Sequence, residues 1–324
     1  MLEICVSQSD GDFSSITEAV QAVPYDTEAV IRIGEGVFTE KIFSEKKNIT
    51  FIGEGPDKTT LEYGDGAFDE MPDGSKRGTF RSYTAFFAGE KCVVKNMTIR
   101  NTAGDGRTAG QALAVYADAD RCYFENVRLE GAQDTLFMSP LPDTERQKKG
   151  FMGPRVMTGR KLTKQYYKNC VITGDVDFIF GGADAVFDDC TVICNNRNEA
   201  INGYITAPCT RSDNLGMVFR NCLIKGAEGC EPESVFLGRP WREEAKAVFL
   251  NCTMDETVSK KRFSGWGGVD KDEPLTFYGE YGTVDEKGNA IDLSGKNPWV
   301  KDIDEALAGE INKKAEEIAD EFRS

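Results

Sequence analysis

A seven-residue pattern of apolar and polar positions recurs along the chain. Its copies are VVKNMTI (93–99), YFENVRL (123–129), YYKNCVI (166–172), VFDDCTV (186–192), VFRNCLI (218–224) and VFLNCTM (248–254), with a weaker copy, KKNITF, at 46–51. When the copies are aligned on the central Asn or Asp, apolar residues occupy the positions two before, one after and three after it. Alternation on each side of the Asn predicts β-strands whose side chains point inward at every second residue.

The apolar phase slips by one residue across the Asn, which predicts a bend at that position. Asn tolerates the left-handed αL conformation and can hydrogen bond its own backbone in a turn. The copies follow one another at irregular intervals of about 20 to 43 residues, as in a solenoid whose coils stack and whose loops vary in length. The pattern therefore predicts an all-β fold, a right-handed parallel β-helix. A β-sandwich is the alternative, but it would require hairpin turns, of which few are visible.

Both ends of the chain depart from this pattern. Residues 11–23 have a helical pattern after an N-cap-like Ser or Asp and could plug the open end of the β-helix. Residues 302–322 form an amphipathic, charged pattern that predicts a helix along the outside or over the other end. No Pro/Gly/Ser-rich linker divides residues 1–324, so a single domain is expected.

The composition narrows the range of partners. The formal net charge is −15, which argues against nucleic acid and against an anionic membrane. Apolar runs are too short for a membrane-spanning helix. The first residues, MLEICVSQSDGDF, lack a basic start followed by an apolar stretch, so a cytoplasmic protein is expected, with a secreted protein whose leader was removed as the alternative. We expect a monomer.

Ten cysteines are present, and four of them, Cys170, Cys190, Cys222 and Cys252, occupy the same inward position of the repeat. We interpret them as a stacked ladder of small apolar side chains rather than as disulfides. The Asn-x-Ser/Thr sequons coincide with repeat phrases, where strand propensity explains their Thr residues, so glycosylation is discounted.

The chain contains no histidine, which excludes Ser-His-Asp triads, Cys-His dyads and histidine-ligated metals. Carboxylates are then the candidates for acid, base or nucleophilic work. Asp134 follows Asn126 by eight residues and Asp177 follows Asn169 by eight. If each Asn marks the same turn, the two Asp residues stack on neighbouring strands about 4.8 Å apart. The pKa of one should then rise, giving one ionised nucleophile or base and one protonated acid. No metal or cofactor is expected.

Several motifs together resemble the pectin methylesterases (pectinesterases, carbohydrate esterase family eight) over about residues 9–300. They are GDFSSITEAVQAVP near the start, GVFTEK (36–41), GQALAVYADADR (110–121), QDTLF (133–137), DVDFIFGGADAVFDDC (175–190) and LGRPW (237–241). The resemblance implies that the chain removes methyl esters from galacturonan (pectin) or oligogalacturonides and releases methanol.

The resemblance also implies a role for each polar residue. Asp177 would attack the ester carbonyl, and Gln111 and Gln133 would donate to the oxyanion. Asp134 would protonate the departing methanol and then act as base for water. Arg239 would pair with Asp177, although a purely structural ion pair is the alternative.

Four aromatic residues are assigned to substrate binding. The resemblance implies that Trp241 stacks on a sugar ring, and we add Phe137, Phe178 and Trp266. Of Phe178 and Phe180, one should point outward. Trp266 could instead cap a loop.

Residues 141–164 depart from the family pattern because they are longer and strongly basic. They contain seven Lys or Arg residues against two acidic residues, Asp143 and Glu145; the basic ones are Arg146, Lys148, Lys149, Arg155, Arg160, Lys161 and Lys164. One interpretation is a solvated loop. The other is a segment that overhangs the groove and holds galacturonate carboxylates, favouring partly de-esterified chains or oligomers.

Two other functions stay open from the sequence. One is another pectin-active β-helix enzyme, a polygalacturonase or a lyase. The other is an inactive relative that only binds carbohydrate. The paired glutamines and LGRPW argue against the first, and the intact set of five polar residues argues against the second.

Overall fold

The computed structural model describes residues 1–266 and 275–323 as a right-handed parallel β-helix. In the N-terminal part the elements are β1 (Leu2–Val6), α1 (Ile16–Ala22), β2 (Ala29–Ile33), β3 (Gly36–Thr39), β4 (Ile42–Ser44), β5 (Ile49–Ile52), β6 (Thr59–Tyr63), a 3-10 helix (Thr79–Arg81), β7 (Ala85–Phe87), β8 (Lys91–Asn101), α2 (Gly106–Ala109), β9 (Val115–Ala117), β10 (Arg121–Glu130) and β11 (Leu136–Met138).

The C-terminal part repeats the same coil until a long helix ends it. Its elements are β12 (Lys164–Lys168), β13 (Val171–Gly174), β14 (Val176–Gly181), β15 (Asp184–Asp188), β16 (Thr191–Cys194), β17 (Gly203–Pro208), β18 (Met217–Arg220), β19 (Leu223–Gly226), β20 (Val235–Gly238), β21 (Lys246–Leu250), β22 (Thr253–Met254), β23 (Phe277–Tyr281), β24 (Val284–Asp285), β25 (Lys301–Asp302) and α3 (Glu305–Arg323). The predicted β-helix is thus confirmed.

The bend in each coil lies at the repeated Asn or Asp. All seven of these residues have φ between 51° and 56°; they are Asn48, Asn96, Asn126, Asn169, Asp189, Asn221 and Asn251. The bend separates β12 from β13 and β15 from β16, and it falls inside the long strands β8 and β10. The predicted αL bend is therefore confirmed, and it explains why the apolar phase slips there.

The interior is filled by ladders of identical or similar side chains, one from each coil. Phe124, Tyr167, Phe187, Phe219 and Phe249 stack with ring centroids 4.3–5.0 Å apart and ring planes within 10° of each other. Parallel offset stacking of this kind adds to the apolar area that the rings bury. The four aligned cysteines are buried beside this ladder, and all ten cysteines are free.

Helix α1 closes the N-terminal end. Ser15 is its N-cap and accepts a hydrogen bond from the Glu18 backbone, while the Glu40 carboxylate accepts bonds from the first-turn backbone N–H groups. These contacts satisfy N–H groups that have no partner within the helix. The helix begins at Ile16, and its apolar face packs onto the first coils.

Helix α3 lies along the outside of the β-helix, which decides between the two predicted positions. Its buried Ile311, Ala315, Ile318 and Phe322 belong to one apolar cluster with outward-facing residues of five successive coils, which are Val93, Tyr123, Tyr166, Val186 and Val218. In the described residues, no helix is long and apolar enough to cross a membrane.

A second parallel sheet has the order β4-β7-β9-β11-β14-β17-β20. Asp177 lies in its strand β14, and Arg239 directly follows its strand β20. Its outward face holds an aromatic ladder in register, from Phe43 through Phe86, Tyr116 and Phe137 to Phe180. This face, rather than the sheets on the other sides of the coil, forms the floor under the candidate site.

Asn221→Ala should lower the free energy of unfolding by about 1–2 kcal/mol, because alanine is strained in the αL conformation. Asn221→Gly should lower the free energy of unfolding much less, since glycine adopts positive φ without a steric cost. Urea denaturation, monitored by circular dichroism, measures the free energy of unfolding of each variant. Equal losses in the two variants would show that the Asn side chain, and not the backbone angle, holds the bend.

Candidate active site

Asp134 and Asp177 lie side by side on neighbouring coils. Both residues adopt the αL conformation, with φ of 65° and 53°. Strands β11 and β14 pair Leu136 with Ile179, so the residues two positions earlier are neighbours, and the Asp134 N–H donates to the Val176 carbonyl at 3.0 Å. The stacking that the repeat spacing predicted is therefore present. Both aspartates are almost fully buried, at 8% and 7% exposure.

Arg239 forms hydrogen bonds with the carboxylate of Asp177. Its Nε and Nη2 donate to the two oxygens of Asp177, each at 2.8 Å. The guanidinium also lies 4.0 Å from the centre of the Tyr204 ring. A bidentate pair of this kind fixes both the charge and the orientation of Asp177.

The preceding Gly238 allows this placement. A Cβ at Gly238 would lie 2.0 Å from the Thr206 hydroxyl oxygen and 2.6 Å from the Thr206 carbonyl oxygen, a distance that no side chain tolerates. The Arg239 backbone N–H donates to the same carbonyl at 2.9 Å. The glycine of LGRPW thus brings the arginine backbone against β17 at the level of Asp177.

The electrostatic environment gives the two carboxyl groups different pKa values. Burial raises the pKa of Asp134 well above its ordinary value, and the negative charge of Asp177 raises it further. Burial also raises the pKa of Asp177, but the charge of Arg239 and its two hydrogen bonds act in the opposite direction. Asp134 therefore holds its proton to higher pH than Asp177 does, as required of an acid beside an ionised nucleophile.

Gln111 and Gln133 supply uncharged donors to the same cleft. They lie on adjacent coils, because the Ala112 N–H donates to the Gln133 carbonyl at 3.0 Å. Gln111 follows α2 and Gly110, whose φ is 73°, and a Cβ at Gly106 would come within 2.8 Å of the Gln133 side chain. Both glutamines line the cleft together with Asp134, Asp177 and Arg239. The five polar residues predicted from the motifs thus meet in one place.

The cleft has a volume of about 270 Å³ and an aromatic wall. Trp241 and Trp266, both assigned to substrate binding, are half-buried and line it. Phe180 also lines the cleft and contacts Trp241 edge to face, with ring centres 5.7 Å apart. Trp266 lines the groove rather than only capping a loop.

The assignment of Phe178 to substrate binding is wrong. Its side chain is 0% exposed and belongs to the interior of the coil. The pairing of β14 with β17 is irregular between Val176 and Ile179, and both Phe178 and Ile179 point into the core. Phe180 is the phenylalanine of DFIFG that points outward.

Phe137 also cannot contact substrate in this structure. It faces outward, but its exposure is 0% because Phe80 covers it at a centroid distance of 4.9 Å. Phe80 comes from the 3-10 helix (Thr79–Arg81), which lies far from Phe137 in sequence. No motif marks Phe80 or Phe151, and both line the cleft.

The basic residues of segment 141–164 make different contacts, and not all of them face the cleft. Arg155 pairs with Asp118 and Glu45, and Lys161 and Lys164 pair with acidic residues elsewhere on the surface. Arg160 donates to backbone carbonyls of the segment itself. Of the seven, Arg146 lines the cleft.

These groups suffice for acyl transfer on an ester. An ionised carboxylate, a carboxyl that keeps its proton and two amide donors surround one space, and a fixed cation holds the first of them. In residues 1–266 and 275–323, no group of three or more Cys, Asp or Glu side chains is arranged to hold a metal ion.

Asp134→Asn should raise the melting temperature at neutral pH. The pKa of Asp134 is higher in the folded than in the unfolded protein, so its contribution to stability is present below the unfolded pKa and lost as the pH rises through the folded pKa. The advantage of the variant should therefore be smallest near about pH 4 and grow towards about pH 7.

Asp177→Asn is the matched control for this measurement. Its gain in melting temperature should be smaller than that of Asp134→Asn, because Arg239 already offsets the cost of burying the Asp177 charge. The variant also leaves the buried charge of Arg239 without its partner. Thermal unfolding across the pH range compares the two variants with the wild type. An Asp134→Asn protein that is no more stable than the wild type at any pH would contradict the pKa shift.

Comparison with known proteins places the chain in a family. The family model described as Pectinesterase matches residues 3–147 and 160–308. Probable pectinesterase/pectinesterase inhibitor 64 of Arabidopsis thaliana is 34% identical over 317 residues, which cover 91% of this chain and 47% of that relative. Pectinesterase 31 of the same plant is 30% identical over 315 residues, with 94% of this chain and 88% of the relative covered.

A solved structure extends the likeness to three dimensions. The crystal structure of a pectin methylesterase in complex with a hexasaccharide has a TM-score of 0.76 to this chain at 26% identity, covering 96% of this chain and 95% of the other. The chain spans only about half of the first plant relative, so the match concerns the β-helix and not the rest of that protein. The match to the family model over most of its length shows that the chain belongs to the pectinesterase family.

Proposed function

We propose that the chain is a pectin methylesterase, which hydrolyses the methyl esters of galacturonan or oligogalacturonides and releases methanol. The observation that carries this proposal is the stacked carboxyl pair in which only Asp177 is bonded by Arg239. The family match supports the reaction class. The hexasaccharide bound to a structural relative supports an oligosaccharide substrate.

In the first half of the reaction, an Asp177 oxygen attacks the ester carbonyl carbon. The carbonyl oxygen becomes an oxyanion, to which the amides of Gln111 and Gln133 donate. As the bond to the methoxy oxygen breaks, Asp134 transfers its proton to that oxygen, and methanol leaves. An acyl-enzyme anhydride on Asp177 and an ionised Asp134 remain.

In the second half, Asp134 serves as the base. It takes a proton from water, whose oxygen attacks the acyl carbon while the same two amides stabilise the oxyanion. The anhydride bond breaks, the galacturonate carboxyl group leaves, and Asp177 returns to its ionised form beside Arg239. The cycle consumes one ester and one water and yields one carboxylic acid and one methanol.

The aromatic wall has a separate task. Trp241 and Trp266 present rings at the cleft, and aromatic rings bind the apolar faces of sugars. Rings at the cleft and amides at the coil edge then hold the ester carbonyl over Asp177 in a geometry ready for attack.

The test is methanol release from methyl-esterified pectin by the wild type and by variants. Asp177→Ala and Asp134→Ala should each lower kcat by several orders of magnitude, because each removes a reacting group. Gln111→Ala and Gln133→Ala should each cost roughly 10²–10³-fold in kcat, as expected for a lost oxyanion donor. The matched control is Gln147→Ala, which removes a glutamine from the rim of the same cleft and should change kcat little.

Other products would contradict the proposal. New reducing ends would indicate a glycoside hydrolase, and unsaturated products would indicate a lyase. Binding of galacturonan without any methanol release by the wild type would indicate an inactive relative that only binds carbohydrate.

A further inference from the structure

We propose that Cys194 and Cys230 form a redox-active pair, which closes to a disulfide when a disulfide oxidant such as oxidised glutathione is present. Both thiols are free in the structure. They belong to neighbouring coils, so the bond would tie one coil of the β-helix to the next. The pair lies outside the cleft, and the proposal does not depend on the esterase reaction.

The backbone brings the two cysteines together at a glycine. Strands β16 and β19 pair Cys194 with Gly226, and side chains paired in this way stack about 4.8 Å apart. Gly226 has no side chain, and a Cβ built on it would lie 2.8 Å from the Cβ of Cys230. Cys230 therefore occupies the space in which a side chain at position 226 would stack on Cys194.

A tight turn places Cys230 there. The Cys230 N–H donates to the Ala227 carbonyl at 3.1 Å, so the chain folds back over Gly226 directly after β19. A disulfide requires Cβ atoms about 3.5–4.5 Å apart, a separation that side chains stacked on neighbouring parallel strands approach. The pair thus has the placement that a disulfide between coils needs.

The sulfur atoms share their surroundings. The Cys230 Sγ lies 3.6 Å from the Cys194 carbonyl oxygen. The Asn202 Nδ2 lies 3.1 Å from the Cys230 Sγ and 3.8 Å from the Cys194 Sγ. One amide group therefore contacts both sulfur atoms, and an N–H donor at a sulfur stabilises the thiolate from which exchange proceeds.

The two thiols differ in their access to solvent. Cys194 is 0% exposed, whereas Cys230 is partly exposed. Cys230 is therefore the thiol that meets an oxidant, and Cys194 is the one that resolves the product. Burial raises the pKa of both thiols, so the exchange should become faster as the pH rises and more thiolate forms.

The exchange has two steps. The Cys230 thiolate attacks one sulfur of oxidised glutathione, the S–S bond of glutathione breaks, and one glutathione thiolate leaves. The Cys194 thiolate then attacks the Cys230 sulfur of this mixed disulfide, and the second glutathione leaves. The two cysteines lose two electrons and two protons in total, and one oxidised glutathione gains them to become two reduced glutathione molecules.

The pair lies behind coils that carry active-site residues. The Cys194 Sγ is 3.9 Å from the carbonyl oxygen of Asp175, at the start of the segment that contains DFIFG. The next residue, Asn195, donates through Nδ2 to the Gly131 carbonyl at 2.8 Å, two residues before Gln133. A disulfide at this place would stabilise the part of the β-helix on which the site is built.

Other cysteines of the chain serve as controls. The four ladder cysteines are at most 1% exposed, which keeps an oxidant away from them; they are Cys170, Cys190, Cys222 and Cys252. Cys5 is exposed but lies in β1, in the first coil. Cys5→Ser therefore removes an accessible thiol without changing the pair.

The first experiment incubates the native protein with oxidised glutathione at about pH 8.5, the ordinary pKa of a cysteine thiol. The remaining thiols are then alkylated in denaturant, and the peptides are analysed by mass spectrometry without reduction. Wild type and Cys5→Ser should each give a peptide with Cys194 linked to Cys230, which dithiothreitol removes. Cys230→Ala, whose changed side chain is partly exposed, should fold and give no such link.

Two results would overturn the inference. One is a wild-type Cys230 that carries glutathione and is never resolved by Cys194. The other is a set of links confined to the four ladder cysteines, with both Cys194 and Cys230 alkylated.

The second experiment compares thermal unfolding of the linked and the reduced protein. A disulfide that fits the native fold should raise the melting temperature by about 5 °C, because it restricts the unfolded chain between residues 194 and 230. Oxidised glutathione should leave the melting temperature of Cys230→Ala unchanged. A linked wild type that melts no higher than the reduced protein would show that the bond forms only by distorting the coils, which would contradict the proposed pair.

Discussion

In-register stacking of parallel coils is the constraint from which the site follows. A residue in one coil of a parallel β-helix has its counterpart in the next coil about 4.8 Å away. Asp134 and Asp177 occupy equivalent αL positions on neighbouring coils, and the ladders of rings and thiols inside the coils fix the register between them. The backbone thus holds together two carboxyl groups that would repel each other if both were ionised.

Arg239 turns this pair into two unlike groups. It binds both oxygens of Asp177, while Asp134 experiences both burial and the charge of its neighbour. A symmetric pair could share a proton, but one carboxylate bound by a guanidinium leaves the proton on the other. The same interaction that makes Asp177 a nucleophile therefore makes Asp134 an acid. Burying two such groups opposes folding, and the large stacked core supplies the stability that allows it.

The sequence predicted the features that repeat and failed where distant segments meet. The αL Asn, the inward Phe and Cys ladders and the stacking of Asp134 on Asp177 follow from spacing within the coil. The five polar residues were placed together through their motifs. Phe178 was misassigned because a local irregularity in β14 turns two successive residues inward, which simple alternation does not predict. Phe137 was misassigned because Phe80 covers it, a contact between coils that no local pattern encodes.

In the basic segment, too, the sequence alone does not show which residue contacts the cleft. Its seven charges look alike in sequence, yet the structure distributes them among ion pairs, backbone carbonyls, the outer surface and the cleft. Which one reaches the cleft depends on how Phe151 and Arg155 anchor the segment on coils that lie far away in sequence.

The most direct test of the account is a titration of the aspartate carboxyl carbons by nuclear magnetic resonance, with ¹³C-labelled wild type, Asp134→Asn and Asp177→Asn. The account predicts a carboxyl signal that stays protonated well above the ordinary aspartate pKa of about 3.9, is absent from Asp134→Asn and shifts to lower pKa in Asp177→Asn. Loss of that signal in Asp177→Asn instead, or a wild-type Asp134 that titrates near the ordinary value, would contradict the division of roles between the two carboxyl groups.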